Sequence, residues 1–269
     1  AGSYAVVATI SDDDYEGSAQ GTLTIGKATP TVIWSTPASI LYGTALSNSQ
    51  LDASVLQNIS GTFTYSPAAG EILSNGIHTL SVTFTPTDSG NWNTATSEVE
   101  IEVAGALVSF TTSGLSSTYN GSAHSVTVTP STPISGFTVT YNGSLTAPTH
   151  AGTYTVVILS SDPNYAGSLE VTMVIAKATP TVVWTNPSSI YFGTGISGTQ
   201  LNATELNNLS GTFIYDVTLG SILSVGTHAL SVTFTPANTV DYESVTASVS
   251  LLVVTNSATI STSGLNTSY

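Results

Sequence analysis

Apolar and polar side chains alternate along much of the chain. In residues 80–85, Leu, Val and Phe alternate with Ser and Thr, and in residues 98–103 Val and Ile alternate with Glu. A period of two predicts β-strands that are packed on one face only. Residues 46–54 predict a single short helical turn and no longer helix. Further strands are predicted over residues 30–35, 39–43, 60–66, 106–112, 124–129, 136–141, 152–160 and 168–175.

The alternating segments recur at a constant offset of 150 residues. Residues 25–34 read IGKATPTVIW, and residues 175–184 read IAKATPTVVW. Residues 1–119 align with residues 151–269 without a gap, and roughly half of the aligned positions are identical. Such self-similarity indicates a tandem array of structural modules.

Each repeat contains two unlike segments, which we name module A and module B. Pro30 and Pro180 favour an extended backbone at the preceding residue, so the KATPT segments predict short, stiff linkers. Because part of a sheet cannot bury its own face, we expect the natural chain to continue in both directions, or a neighbour to complete its ends. The predicted domains are 1–26 (the C-terminal part of a module B), 27–104 (module A), 105–176 (module B), 177–254 (the second module A) and 255–269 (the N-terminal part of a further module B).

The composition favours an all-β fold and argues against several functions. Only 7% of the 269 residues are charged, and the net charge of −14 arises because there are only two basic residues. A surface nearly devoid of Lys and Arg cannot neutralise phosphates, so we expect neither nucleic-acid binding nor docking to anionic lipid. The chain has no Cys and no apolar run long enough to cross a membrane, which argues against disulfides, thiolate metal sites and membrane insertion. An acidic, Ser/Thr-rich surface is typical of extracellular proteins, and any export signal is expected to lie outside this sequence.

One acidic cluster is a candidate metal site. Asp12, Asp13, Asp14 and Glu16 could supply the hard oxygen ligands that calcium prefers. The second copy reads Asp-Pro-Asn over residues 162–164, so two of the three carboxylates of residues 12–14 are lost there. The cluster is therefore weighed as a calcium site against the simpler interpretation of a solvated turn. No other metal or cofactor is expected.

The two lysines, Lys27 and Lys177, occupy the same position in both repeats. One interpretation is an intramolecular Lys–Asn isopeptide bond, which needs an Asn and a nearby buried carboxylate. The simpler alternative is that each linker lysine pairs with a carboxylate of a neighbouring module. The loss of one ammonia per bond, measured by mass, distinguishes the two.

Aromatic, histidine and asparagine residues supply the remaining candidates. Aromatic residues at equivalent positions could line a sugar platform, but in strands they more often form the core. Trp92, which is replaced by Tyr242 in the second repeat, is predicted to lie in a loop and to be the better candidate for an exposed contact. The four histidines could hold zinc or act as a base, or they could be ordinary surface or strand-edge residues. The equivalent aromatic pairs are Trp34/Trp184, Tyr4/Tyr154, Tyr15/Tyr165 and Tyr65/Tyr215; the histidines are His78, His124, His150 and His228; and glycosylation sequons begin at Asn58, Asn120, Asn142, Asn202, Asn208 and Asn266.

Module B, with the segments TSGLSSTYNGSAHSVTVTP and APTHAGTYTVVILSSDPNYAGS, resembles the MBG-type repeat of bacterial surface proteins. Module A, with KATPTVIWSTPASILYGTALSNSQLDA and HTLSVTFTP, resembles the bacterial Ig-like repeats that alternate with it. The resemblance implies an array of small Ig-like β-sandwich modules in a long, exported, adhesin-like protein. It carries over no catalytic residues.

Three functions are compatible with these features to different degrees. The first is a stalk or fibre segment whose partners are neighbouring modules of the same chain, or identical chains in a filament. The second is a module that itself binds host or environmental glycans or mucin. The third is an enzyme, and since no constellation of residues supports catalysis, we expect the protein not to be one.

Overall fold

A computed structural model describes residues 1–56 and 58–257. Every regular element in these residues is a β-strand, which confirms the all-β prediction. Within the same residues, no helix has the length and apolar character that a membrane span requires. The chain divides into two compact units: one contains Ala1–Phe110, Pro130–Thr138 and Leu159–Leu169, and the other contains Thr111–Thr129, Val139–Ile158 and Glu170–Tyr269.

The first unit begins with a two-stranded antiparallel ribbon, β1 (Gly2–Thr9) and β2 (Ser18–Ile25). The first module A follows. Its four-stranded sheet has the order β4-β8-β7-β6, and β3 pairs with β5 in a second, small sheet. The strands of this module are β3 (Val32–Ile33), β4 (Ile40–Leu41), β5 (Ser54–Val55), β6 (Gly61–Ser66), β7 (Gly76–Pro86) and β8 (Ala95–Ala104).

The second module A, which lies in the second unit, repeats this topology strand for strand. Its four-stranded sheet has the order β18-β22-β21-β20, and β17 pairs with β19. In both copies a short strand, β4 or β18, runs parallel to the last strand of the module. The strands are β17 (Val182–Val183), β18 (Ile190–Tyr191), β19 (Thr204–Glu205), β20 (Gly211–Tyr215), β21 (Gly226–Pro236) and β22 (Val245–Val254).

Module B supplies strands to both units. Its four-stranded sheet has the order β11-β16-β14-β13, and the pairs β10-β12 and β9-β15 form two small sheets. The strands are β9 (Ala106–Leu107), β10 (Phe110–Ser113), β11 (Ser116–Thr118), β12 (Thr127–Pro130), β13 (Phe137–Tyr141), β14 (Gly152–Ser160), β15 (Tyr165–Ala166) and β16 (Ser168–Ala176). The structure thus contains strands of both A modules and of the complete module B, whereas the bounds of the five predicted segments stay a prediction and residues 258–269 of the last segment lie outside the described residues.

The alternating pattern buries one face of each long strand. On β7, Leu80, Val82 and Phe84 are buried, whereas the Ser and Thr residues between them face outward. Burial of such side chains contributes about 1.5–3 kcal/mol each. In the first module A the core cluster consists of Leu46, Leu51, Leu80 and Ile101, and in the second it consists of Ile196, Leu230, Val249 and Leu251.

The structure refines the sequence-predicted elements in three places. The strands expected over 30–35 and 39–43 shrink to two residues each. The strand expected over 106–112 is interrupted and becomes β9 and β10. The helical turn expected within 46–54 is present, since the Leu51 amide donates to the Ser47 carbonyl (2.9 Å).

Candidate functional site

The two A modules carry equivalent loops before their last strand, which we name the joint loops (residues 87–94 and 237–244). Each loop is closed by a short polar side chain that accepts backbone hydrogen bonds. Asp88 Oδ1 accepts from the Gly90 and Asn91 amides (3.2 and 3.1 Å). Asn238 Oδ1 accepts from the amides two and three residues later (3.1 and 3.2 Å). Asp and Asn favour such turns because their side chains imitate the backbone.

Each joint loop is also bonded to the linker that enters its module. The Ala28 amide donates to the Asn91 carbonyl (3.0 Å), and the Asn93 amide donates back to Ala28 (2.8 Å). In the second unit, Ala178 exchanges the same two bonds with Asp241 and Glu243 (2.8 and 3.0 Å). The predicted linkers are therefore held by backbone hydrogen bonds on both sides of one alanine.

The joint loop of the second repeat also binds the start of strand β14. The Ala151 amide donates to Asp241 Oδ1 (2.8 Å), and His150 Nδ1 lies 2.9 Å from Asp241 Oδ2. In the first repeat the amino group of Ala1, which is equivalent to Ala151, donates to Asn91 Oδ1. The same contact thus occurs at both positions, although a carboxylate makes it in one and an amide in the other.

An Asp and an Asn have exchanged places between the two loops. In the first, Asn91 Nδ2 donates to Asp88 Oδ2 (2.8 Å). In the second, Asn238 Nδ2 donates to Asp241 Oδ2 (2.8 Å). In each loop a carboxylate and an amide three residues apart are therefore joined by one hydrogen bond, but the donor and the acceptor are reversed.

The carboxylate of Asp241 is the most deeply buried charge in the described part of the chain, and the residue is 0% exposed. Burial on its own would raise the pKa of Asp241, but hydrogen bonds from Asn238, His150 and Ala151 outweigh it and lower that pKa below the usual range. Burial, with the nearby charge of Asp241, raises the pKa of Tyr119. The Tyr119 ring packs edge-on against Tyr242, with the ring centroids 5.3 Å apart.

This last contact bears on the loop candidate Trp92, whose equivalent in the second repeat is Tyr242. The residue lies in the joint loop as predicted, but it is only partly exposed and its ring faces Tyr119 within the same unit. Trp92, at the same position in the first repeat, is also partly exposed. The exposed contact expected at Trp92 stays a prediction, and at the equivalent position of the second repeat part of the Tyr242 ring is covered by Tyr119.

A second set of polar contacts lies in the first unit, at the opposite end of module A. Asn75 Nδ2 donates to the Pro163 carbonyl (2.8 Å), and the Asn75 amide donates to Asn164 Oδ1 (2.9 Å). Tyr42 packs edge-on against Tyr165, with the ring centroids 5.5 Å apart. Hydrogen bonds from the amides of Ser135 (2.7 Å) and Asn164 (2.9 Å) lower the pKa of the mostly buried Asp162.

The calcium candidates lie at the position equivalent to this Asp162 loop. Asp12 Oδ1 accepts from the Asp14 amide (3.0 Å), which is the turn that Asp162 forms with Asn164. Asp13 and Glu16 are exposed. Among the described residues, no three His, Cys, Asp or Glu side chains lie together in a group that could hold a metal. Calcium binding by these residues stays a prediction.

The lysine candidates lie beside the joint loops. Lys177 Nζ donates to the Thr239 carbonyl (2.6 Å) of the second joint loop. The backbone carbonyl of Lys27 accepts a long bond from the Asn93 side chain (3.5 Å). An isopeptide bond from either lysine stays a prediction.

Three of the eight repeated aromatics, Trp34, Tyr65 and Trp184, pack on the core clusters as predicted. Trp34 packs on the first core cluster and donates Nε1–H to the Gln50 carbonyl (3.0 Å), and Trp184 makes the same bond to Gln200 (2.9 Å). Tyr15, by contrast, is 70% exposed on the β1–β2 ribbon. The remaining candidates have structural contacts or fall outside the description: His78 and His228 bond to the carbonyls of Ser74 and Ser224 (2.7 Å each), His124 lies in module B with its amide bonded to Pro148 (2.9 Å), and Asn266 lies outside the described residues.

Sequence reasoning missed the group formed by Asn238, Asp241 and His150. The gap-free alignment contained a signal for it: Asp88 aligns with Asn238, and Asn91, three residues later, aligns with Asp241. Two compensating differences of this kind indicate that the two side chains are in contact.

Comparison with known proteins supports part of the resemblance. Residues 1–29 and 108–179 match the family model of the MBG domain. A comparison with curated protein sequences finds no match.

Three solved structures illustrate the remaining similarity. The Drosophila N-cadherin EC1-3 structure is 12% identical, with coverage of 86% of this chain and 100% of that chain and a TM-score of 0.29. Sidekick-1 immunoglobulin domains 1-5 are 9% identical, with coverage of 92% and 66% and a TM-score of 0.34. Domains 1-6 of the surface layer protein SbsC are 14% identical, with coverage of 95% and 45% and a TM-score of 0.24. Similarity at this level carries no information about function.

Proposed function

We propose that this chain, whose residues 1–29 and 108–179 are MBG-type repeats, is a structural segment of an extracellular, cell-surface protein. It serves as a stalk or fibre that spaces or assembles adhesive elements, and it is not an enzyme. The modules themselves are its principal partners. The composition supports an extracellular location, because an acidic, Ser/Thr-rich surface with only two basic residues is typical of proteins outside the cell.

The observation that carries this proposal is the group of contacts around Asp241. A buried carboxylate is costly unless hydrogen bonds satisfy it, and here the donors come from the segment before β14 and from the joint loop itself. These donors belong to module B and to the second module A. A joint made in this way restricts rotation between consecutive modules, which is the property that a spacer needs.

Amide ¹⁵N relaxation of the whole chain tests the proposal in the second unit. We expect residues 139–158 of module B and residues 177–254 of module A to share one rotational diffusion tensor. Independent tumbling of these two segments, with different correlation times, would refute a stiff joint and with it the spacer function.

A second candidate function is glycan binding, and one groove favours it. The groove in the second unit has a volume of about 440 Å³ and is lined by Pro180, Asn207, Asn208 and Tyr242, among others. Amide groups beside an aromatic ring suit the hydroxyls and the apolar face of a sugar. A glycan array probed with the whole chain tests it: binding that is lost in Asn207→Ala supports this function, and an array without signal supports the spacer alone.

A further inference from the structure

We infer that each joint loop is a docking surface for the start of an MBG-type strand, and that its Asp–Asn pair works only as a matched set of one carboxylate and one amide. The inference rests on the proposed function, since it names the residues through which one module holds the next. The partner is the segment that begins with the alanine directly before β14, or directly before β1 in the first repeat.

The first step of the argument concerns the residue that receives the strand. Position 91 or 241 must present an oxygen to the incoming alanine, and Asn91 and Asp241 both do so through Oδ1. The other polar atom of the same side chain then determines whether the neighbouring side chain must accept or donate a hydrogen bond. The Nδ2 group of Asn91 requires an acceptor, and Asp88 supplies one. Oδ2 of Asp241 requires a donor, and Asn238 supplies it.

The second step shows why the neighbour cannot adapt by itself. If Asp241 became Asn, two NH₂ groups would face each other, and Asn238 would have to rotate its amide to offer an oxygen. Its Oδ1, however, already accepts from the Val240 and Asp241 amides (3.1 and 3.2 Å). Rotation would therefore break the turn that shapes the joint loop. If Asn238 became Asp, two carboxylates would meet with one of them buried, and like charges at this distance repel strongly.

The third step concerns His150, which differs from the other donors because it can change its role. Its Nδ1 faces Oδ2 of Asp241 at 2.9 Å. A neutral imidazole can either donate or accept at Nδ1, according to its tautomer. His150 can therefore accept from an amide NH₂ at position 241, and it does not prevent the exchanged arrangement. The rings of Tyr119 and Tyr242 also lie beside Asp241, and the ammonium group of Lys177 donates to the Thr239 carbonyl of the same loop.

A double-mutant cycle on the whole chain tests the inference. The variants are D241N, N238D and the double exchange N238D/D241N, which recreates the order found in the first repeat. The readout is hydrogen–deuterium exchange of the Ala151 amide, which donates to position 241. Each single change is expected to accelerate this exchange by at least about tenfold, because a buried polar group loses its partner. In the double variant N238D/D241N, the hydrogen-exchange rate of the Ala151 amide is expected to lie within about threefold of the original rate, because mutations of residues in direct contact have non-additive effects.

Two controls make each outcome informative. Exchange at the Leu230 amide, in the core of the second module A, shows whether that module still folds in each variant. Asp52→Asn, at an exposed position of the first module A, is the matched removal of a charge and is expected to leave Ala151 exchange unchanged.

The results separate the inference from the function on which it rests. The matched set would be overturned if the single variants leave the Ala151 exchange rate unchanged. It would also be overturned if the double variant shows the summed effect of the two single variants, even if relaxation shows that the modules tumble together. Independent tumbling of the unmodified modules would instead overturn the spacer function, whatever the outcome of the cycle.

Discussion

Removal of one tyrosine hydroxyl, in Tyr65→Phe, tests how each module fixes its long connecting segment. Tyr65 lies on β6, and its hydroxyl oxygen accepts a hydrogen bond from the Ala53 amide (3.0 Å). Its ring meets Trp34 edge-on, with the centroids 5.4 Å apart. The second module A repeats the bond between Tyr215 and the Ala203 amide at 2.9 Å.

Module B contains the same type of hydrogen bond, although its sequence is unlike that of module A. The Val126 amide donates to the hydroxyl of the buried Tyr141 (3.0 Å). A tyrosine hydroxyl that accepts from a backbone amide 12–15 residues upstream thus occurs in both A modules and in the complete module B. In each case it ties an irregular segment to the edge of a sheet.

The magnitude follows from the burial of the amide. Phenylalanine keeps the ring and its packing, so the change removes only the acceptor. Ala53 is 8% exposed, and its amide would be left without a partner and with little access to water. An unsatisfied buried donor costs about 1–3 kcal/mol, and we expect this loss in the free energy of unfolding of the first module A.

Urea unfolding, combined with hydrogen exchange at the Ala53 amide, measures this effect. The amide is expected to exchange faster in Tyr65→Phe, whereas the core amide of Leu80 keeps its protection relative to global unfolding. Tyr191→Phe is the control: this side chain is 58% exposed, and its change is expected to stay within about 0.5 kcal/mol. Unchanged stability and unchanged Ala53 exchange in Tyr65→Phe would show that the bond does not hold the segment.

Three further predictions concern close packing, acid and the polar contacts of the first unit. Gly61→Ala is expected to destabilise by about 1–3 kcal/mol because the new Cβ would lie 2.4 Å from Phe84 Cζ, whereas Gly21→Ala, with open space around it, should be neutral in thermal unfolding. Since the folded-state pKa of Asp241 is lowered, its stabilising contribution is complete above the unfolded pKa of about 3.9 and is lost as the pH falls through the lower folded value. An acid titration in which the protection factor of the Ala151 amide does not fall as the pH drops below that unfolded pKa would contradict this. Asn75→Ala is expected to cost about 0.5–1.5 kcal/mol in urea unfolding, because the bond to the Pro163 carbonyl is lost, and an unchanged midpoint would contradict it.

The sequence predicted the long strands well because their burial is periodic. The strand expected over residues 152–160 is β14 with the same bounds, and the one expected over 168–175 is one residue longer. Two-residue strands such as β15 (Tyr165–Ala166) were missed, because two residues cannot show a period. β11 (Ser116–Thr118) was missed because it is polar throughout, and its place is set by parallel pairing with β16.

The joint loops were less predictable because their chemistry depends on pairing across long sequence distances. His150 and Asp241 are 91 residues apart, and neither residue is unusual in its local sequence. Each predicted candidate rested on residue type alone: carboxylates for calcium and lysines for an isopeptide bond. The group that the structure brings together consists of one Asp, one Asn and one His, which no common spacing motif connects.

The charge composition explains why the joints take this form. The sequence has only two basic residues, and the one beside the second joint loop, Lys177, bonds to the Thr239 carbonyl. Asp241 is instead surrounded by N–H donors from an amide, an imidazole and the backbone. Such donors have fixed directions, so the bonds define one orientation of the strand that they hold, whereas a flexible lysine would tolerate several. A scarcity of basic residues therefore favours joints that are specific in geometry, and the Asp–Asn exchange between the repeats preserves that geometry while it moves the charge.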